Sequence, residues 1–378
     1  MRYLDVNKLA QAIESRIEED LTCHRVGGVS VLVSQNGSVV YKKHFGRDSE
    51  AFQQTPDDTT MFRLASMTKP ITGVAAMILA DRGLLSVDDA VASYLPAFSN
   101  PFLLGEDGAR IPVSEPITIK HLLTHSSGVG SGLAGQASAR KLTNEHRRTI
   151  DSYVDFLAGE PLSFVPGTKV EYSGTAAFSV LSAIIEKVSG QPFADFLKRE
   201  IFDPCGMVDT TFDPTPEQWA RMVAMHNRCD GVSGEGKTAA GRVFEQFPPA
   251  CPLGGAGLVS TLADYSRFAH MLLAGGVHEG HRVLSERSVA MMSSPQISPD
   301  IQPNKQRWGL SVRVITSEKY GALPVGAFGW SGAYGTHFWV DPVNRIVAIY
   351  MKNSRYDGGS GAVTAAHFEQ DVASALTE

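Results

Sequence analysis

A serine and a lysine stand three residues apart at the mouth of an apolar run. The stretch Phe62-Arg63-Leu64-Ala65-Ser66-Met67-Thr68-Lys69-Pro70 leads into Ile71 to Ala80, which contains no charged residue. A run so long and uniform is not an exposed element, because a surface helix alternates apolar and charged faces. It predicts a buried helix with Ser66 and Lys69 in its first turn and on one face. The helix dipole favours negative charge there, which helps an oxygen nucleophile to form. Burial lowers the proton affinity of a lysine, so that it can act as a base. By spacing alone, the pair also fits an exposed lysine one turn from a capping serine.

The bulk properties set the frame. A chain of 378 residues, 43% hydrophobic and 20% charged, can bury a large core as one large domain or two intertwined ones. A formal net charge of -6, with no basic run, argues against a nucleic-acid partner. Met1-Arg2-Tyr3-Leu4-Asp5 lacks the apolar core of a signal peptide, and no stretch is long enough for a membrane span. The expected location is the cytoplasm. Cys23, Cys205, Cys229 and Cys251 are scattered, without a C-x-x-C pair, and read as free thiols. His278-Glu279-Gly280-His281 has the wrong spacing for a helical zinc pair and reads as a solvated turn. No metal and no cofactor are expected.

Along the chain, Leu9, Ile13 and Ile17 recur at helical spacing, which places a surface helix over Val6 to Glu19. Two β-rich runs, Gly28 to Ser34 and Ser38 to Tyr41, meet at Asn36-Gly37 and form a hairpin. The Ser66 helix should stop at Asp81-Arg82-Gly83 with glycine as the cap. From Leu84 to about Ala250 the pattern is helices and long loops. The expected helices are a short one up to Tyr94 capped by Asp88-Asp89, then Ile117 to Leu123, Ile150 to Ala158 and Thr175 to Ser189. Ser126 to Gly135 and Asp230 to Gly241 read as flexible loops. A helix from Leu262 to Ala274, capped at Thr261 or Asp264, precedes a return to strands: Trp308 to Ile315, Ala327 to Trp330, Thr336 to Val340 and Arg345 to Met351. A helix over Ala362 to Leu376 closes the chain. Strands at both ends with helices between predict an α+β fold: an antiparallel sheet built from both termini and flanked by helices, with a mainly helical domain inserted. The expected division is 1-84 plus 251-378 for the sheet domain and 85-250 for the helical one, with the active site between them.

Several blocks in this order carry a family resemblance. Phe62 to Lys69 is similar to the nucleophile motif of the serine β-lactamase-like superfamily, which includes class C β-lactamases, D-Ala-D-Ala carboxypeptidases and family VIII carboxylesterases. His121-Leu122-Leu123-Thr124-His125-Ser126-Ser127-Gly128 resembles a further signature. Pro166-Gly167 followed by Glu171-Tyr172-Ser173 resembles the second catalytic motif. Ile201 to Met207 and Gly254 to Phe268 resemble two more stretches, so the likeness runs from about Gly28 to Met351. It implies the β-lactamase/transpeptidase-like fold.

Acyl transfer needs a deprotonated oxygen, a base, oxyanion donors and an acid for the leaving group. The resemblance makes Ser66 the nucleophile, and gives Lys69 and Tyr172 the roles of general base and acid. No G-x-S-x-G elbow surrounds any serine, so a histidine triad is not evident. Taken alone, a tyrosine after Pro-Gly could equally be a core aromatic. Trp330-Ser331-Gly332 aligns with the third motif as substrate-binding residues, and the backbone N–H groups of Ser66 and Ala333 would form the oxyanion hole. His125 reads as a structural residue in its turn. Gly254-Gly255-Ala256-Gly257 reads as close backbone packing near the site rather than a phosphate cradle. Phe328, Trp330, Phe338 and Trp339 are candidates for an acyl-pocket wall, half of them belonging to the core.

Two positions depart from the usual pattern. Gly174 stands where the tyrosine motif often has asparagine, and Trp330 where the third motif often has a cation. Both weaken the β-lactamase and carboxypeptidase readings without touching ester cleavage. Trp330 shifts the resemblance towards family VIII carboxylesterases. The expected activity is therefore a serine hydrolase on small-molecule esters of small acyl groups, with no nucleic-acid or membrane partner and an open oligomeric state. Alternatives are an amidase or peptidase on D-amino-acid derivatives, a weak β-lactamase, an acyltransferase, and a non-catalytic scaffold.

Overall fold

Asn36 and Gly37 turn the chain with φ of 55° and 82°, the left-handed pair that a tight hairpin requires. In the computed structural model, which describes residues 1–47, 55–229, 232–236, 247–318, 321–354, 357–359 and 361–377, this hairpin is the N-terminal part of the main sheet. Its strands are β1 (Gly28–Gln35) and β2 (Ser38–Gly46). The C-terminal third supplies β3 (Gln306–Trp308), β4 (Arg313–Ile315), β5 (Phe328–Ser331), β6 (His337–Asp341) and β7 (Ile346–Met351). The seven strands lie in the order β3-β4-β5-β6-β7-β1-β2, every neighbouring pair antiparallel. The α+β architecture expected from the sequence, a sheet drawn from both termini, is present.

The expected strand over Trp308 to Ile315 is two strands, because Ser311 adopts φ of 71° and folds the chain back between β3 and β4. A second difference joins the termini. Tyr3–Leu4 pairs antiparallel with Leu376–Thr377, in a segment expected to be helical at its C-terminal side.

Period-two alternation splits the sheet into two apolar faces. Val29, Val31, Val33, Trp339, Ala348 and Tyr350 bury against α1 (Val6–Thr22) and the C-terminal helix Val363–Ser374. Leu32, Phe328, Phe338, Val347 and Ile349 point the other way and share a core with α2 (Thr68–Asp81) and the helices that follow it. Because both faces are covered, β1 is buried at every position, and its polar side chains find partners: Ser30 Oγ bonds His44 Nδ1 at 2.8 Å and Ser34 Oγ bonds His270 Nε2 at 2.6 Å.

Between the two parts of the sheet lie α3 (Gly132–Lys141), α4 (Ile150–Ala158), α5 (Ala176–Ser189) and α6 (Leu262–Leu273). Thr149 and Thr261 cap their helices through side-chain oxygens, and Gly190 ends α5 at φ of 68°. The short helix expected before Tyr94 is a single 3-10 turn, Val91–Ser93. The Gly/Ser-rich stretch 126–135 is not all loop, since α3 begins inside it. Gly135 makes this possible: a Cβ there would lie 2.3 Å from the Gly130 carbonyl carbon. Of the second expected loop, Asp230 to Gly241, residues 230, 231 and 237–241 lie outside the described residues. Val232–Gly236 forms a strand paired with Met225–Cys229. No helix among the described residues is long and apolar enough to cross a membrane.

Candidate active site

The predicted first turn is in place, in a tighter form. Ala65–Met67 is a 3-10 turn that runs directly into α2, and Ala65 carries φ of 47°. A left-handed alanine costs about 1–3 kcal/mol and persists only where its surroundings fix it. Here they do: the Leu64 N–H donates to Leu258 O at 2.9 Å, and Thr336 Oγ1 donates to Leu64 O at 3.0 Å. The start of α2 is held just as firmly. Thr72 Oγ1 donates to Gly254 O at 2.7 Å, Thr68 Oγ1 accepts from the Leu258 N–H at 3.1 Å, and the Tyr265 hydroxyl donates to Met67 O at 2.9 Å.

Lys69 is fully buried, and its Nζ donates to Ser66 Oγ at 3.2 Å, Gly174 O at 2.5 Å and Gly255 O at 2.7 Å. Among the described residues it forms no ion pair. Burial pushes its pKa down, against a smaller upward pull from Tyr172. The amine also lies 4.9 Å from the centre of the Tyr172 ring and 5.4 Å from that of Phe178. The glycine run Gly254–Gly257 is the close packing that the sequence suggested. A Cβ at Gly254 would sit 2.0 Å from Ser182 Oγ, and Gly255 supplies a carbonyl to the lysine.

Tyr172 is 39% exposed, so it is not the core aromatic that Pro-Gly alone would allow. Its hydroxyl accepts a hydrogen bond from Trp330 Nε1 at 3.2 Å. Beneath it lies His125, fully buried at φ of 58°, with ring centres 4.5 Å apart. His125 Nδ1 accepts the Ser173 N–H at 3.1 Å, which fixes the segment carrying Tyr172 and leaves the ring proton on Nε2. Burial, and then the charge of Lys69, hold His125 well below its ordinary pKa, so the ring is neutral.

The end of β5 approaches Ser66 through Gly332. A Cβ at Gly332 would lie 2.2 Å from Leu64 O, so only glycine lets the strand come this close to the serine turn. Ser66, Tyr172, Trp330, Ser331 and Ala333 line one cavity of about 380 Å³, with Trp308 on its wall. Ser331 is itself buried, and its Oγ bonds His337 Nδ1 at 2.8 Å. His337 Nε2 bonds Glu369 Oε1 at 3.1 Å, and the same oxygen accepts from Arg313 at 2.7 Å. Of the four aromatic candidates for a pocket wall, Trp330 lines this cavity, whereas Phe328, Phe338 and Trp339 are buried in the two cores.

Sequence reasoning missed three features. Trp308 packs at a tilt against His125, with ring centres 4.3 Å apart, and against Trp330, at 4.5 Å. The carbonyls of Gly174 and Gly255 hold the lysine, and the glycine run was the only signal for the second. Arg307 and Arg313 also line the cavity, although no motif pointed to cations there. No group of His, Cys, Asp or Glu among the described residues is arranged to hold a metal ion.

Chemically, this is a serine hydroxyl against a lysine whose pKa is lowered by burial, beside a tyrosine oxygen that receives an N–H donor. Residues 13–370 match the family model described as Beta-lactamase. Esterase EstB of Burkholderia gladioli is 32% identical over 392 aligned positions, covering 96% of this chain and 95% of that protein. Protein Rv1367c of Mycobacterium tuberculosis is 30% identical over 359 positions, covering 89% and 88%. Among solved structures, EstCE1, a hydrolase with promiscuous acyltransferase activity, superimposes with a TM-score of 0.82 at 23% identity, covering 97% of this chain and 99% of that one. Simvastatin synthase (LovD) from Aspergillus terreus gives 0.81 at 19% identity, covering 97% of each chain. At such identities the structural likeness speaks to the fold alone.

Proposed function

The chain belongs to the beta-lactamase family and is an esterase-type serine hydrolase, and on that premise we propose that it cleaves carboxylic esters through an acyl-enzyme on Ser66. The observation that carries this reading is the 3.2 Å hydrogen bond between Lys69 Nζ and Ser66 Oγ, with the lysine buried and, among the described residues, no carboxylate paired to it. A lysine held by carbonyls and a hydroxyl gives up its proton more readily than one held by an acid.

In the proposed reaction the Ser66 proton passes to the Lys69–Tyr172 pair as Oγ attacks the ester carbonyl. The Ser66 and Ala333 N–H groups receive the oxyanion. The C–O bond to the alcohol breaks, and the proton taken from Ser66 returns to the leaving oxygen through Tyr172. Water then gives a proton to the same pair as it attacks the acyl carbonyl, the Ser66 Oγ–acyl bond breaks, that proton returns to Oγ, and the acid is released. Trp330 supports Tyr172 by donating to its oxygen, which stabilises negative charge there. The reactive groups would lie between the sheet part (1-84 plus 251-378) and the helical part (85-250). The cytoplasm is the proposed location, in keeping with free thiols at Cys23, Cys205 and Cys251, and cell fractionation tests it.

An activated ester departs without the protonation that an amide nitrogen requires. Short-chain p-nitrophenyl esters should therefore give good kcat/KM, with D-amino-acid amides and cephalosporins far weaker on the same preparation. Equal efficiency on the amide or the β-lactam would replace this reading with the amidase one. Partitioning of the acyl group to added alcohols measures how far the site also acts as an acyltransferase.

A further inference from the structure

Tyr172 lines two cavities. The second, of about 460 Å³, is walled by Leu142, Phe156, Leu157 and Phe247, with Gly174 and Arg147 also on its lining. Gly174 is the link to the chemistry. Its carbonyl holds Lys69 Nζ at 2.5 Å, and a Cβ built on it would meet nothing within 4 Å. The residue that anchors the lysine thus adds no side chain to this cavity, and the space beside its Cα is open.

Arg147 is the odd group in these walls. Its Nε is buried with no hydrogen-bond partner, and its guanidinium lies 5.7 Å from the centre of the Phe247 ring. Among the described residues no carboxylate pairs with it, whereas its neighbour Arg148 pairs with Glu145 at 3.1 Å. A guanidinium whose buried donor is unmet, in an apolar cavity, is complementary to a carboxylate delivered at the end of an apolar chain. At roughly 30 Å³ per water-sized group, the space takes on the order of fifteen heavy atoms.

We propose that this cavity receives the acyl chain of the substrate and that Arg147 binds a carboxylate at the chain's distal end. The preferred substrates are then half-esters of dicarboxylic acids, a refinement that rests on the ester reading of Ser66. A carboxylate in this position is remote from the scissile bond, so it is not the one that a cation at position 330 would meet.

The test compares kcat/KM for mono-p-nitrophenyl adipate and suberate with the matched hexanoate and octanoate, using p-nitrophenyl acetate to report the chemistry itself. The wild type should favour the acid-tipped ester at least tenfold, and the preference should shrink as salt is added, a titration that needs no variant. Arg147→Gln should reduce that ratio roughly ten- to hundredfold, the worth of a charge-assisted bond, while Arg147→Lys retains part of it. Gly174→Leu should lower both long esters relative to acetate. A wild type that hydrolyses acetate yet prefers octanoate to suberate overturns the proposal and leaves the ester reading standing. So does a ratio that responds to Arg307→Gln and not to Arg147→Gln, which would seat the acid in the other cavity. If no ester is turned over and a fluorophosphonate fails to label Ser66, the ester reading itself falls. Calorimetry with monomethyl suberate then still decides the subsite: binding weakened by Arg147→Gln upholds it, and no binding refutes it.

Discussion

The indole N–H of Trp330 donates to the hydroxyl of Tyr172 at 3.2 Å, across a ring-centre distance of 5.4 Å. The sequence reading gives Trp330 a substrate-binding role, as a neutral residue where a cation is more usual. In the folded chain it also contacts the atom proposed to carry the proton, and this ties the third motif to the second.

Trp330→Phe keeps an aromatic face and removes the donor. A hydrogen bond to a charged oxygen contributes about 1.5–3 kcal/mol, so kcat on an activated ester should fall roughly ten- to hundredfold. A substrate wall alone would change KM instead, and steady-state kinetics on one ester series separates the two.

Ser66→Ala should cost more than about a thousandfold in rate, because loss of a nucleophile normally costs more than this. The variant should keep the wild-type circular dichroism and melting profile. Residual activity above that level would assign the covalent step to another residue.

Lys69→Ala and Tyr172→Phe should each remove most of the rate, and the double variant little more than either alone. The amine lies 4.9 Å from the tyrosine ring, and the proposed proton transfer needs both members of the pair. Additive losses in kcat would show two independent functions.

Burial lowers the Lys69 pKa, so the free amine accumulates as pH rises through a value below the ordinary 10.5. The ester kcat/KM should climb with pH in that window and then level off. His125 is buried and held well below 6.5, stays neutral throughout, and should contribute no inflection near neutrality. A pH–rate profile on a stable ester checks both statements.

Burial pushes the Glu369 carboxyl up, but the hydrogen bond and charge of His337 and those of Arg313 outweigh it and leave the pKa at about 2. Folded below unfolded means that this group's stabilisation is present above the unfolded carboxylate value of about 4.3 and is lost as pH falls towards 2. Glu369→Gln should flatten the acid limb of a denaturant-midpoint titration. It should also destabilise the protein near neutral pH by about 3–5 kcal/mol, since it breaks a buried pair.

The sequence alone determined the elements whose cause is local. Asn36-Gly37 dictates its hairpin because two left-handed residues are needed there, and the uncharged run after Lys69 dictates a buried helix. Ser66, Lys69 and Tyr172 stand out as a candidate set because the motifs around them occur together and in order, and the fold brings the three side chains together. Tertiary structure decided everything that depends on approach between distant segments. No local pattern announces that the Gly174 and Gly255 carbonyls, 105 and 186 residues away, would hold Lys69 Nζ. Nor could spacing reveal that Ser331 Oγ bonds His337, whose ring in turn bonds Glu369, since strand alternation fixes the side of a residue only once the sheet order is known. Helix α3 was hidden in a Gly/Ser-rich stretch because its stability comes from packing, Gly135 against Gly130, rather than from propensity. Arg147 and Arg307 belong to no sequence motif, and only the folded chain sets each of them on the wall of a cavity.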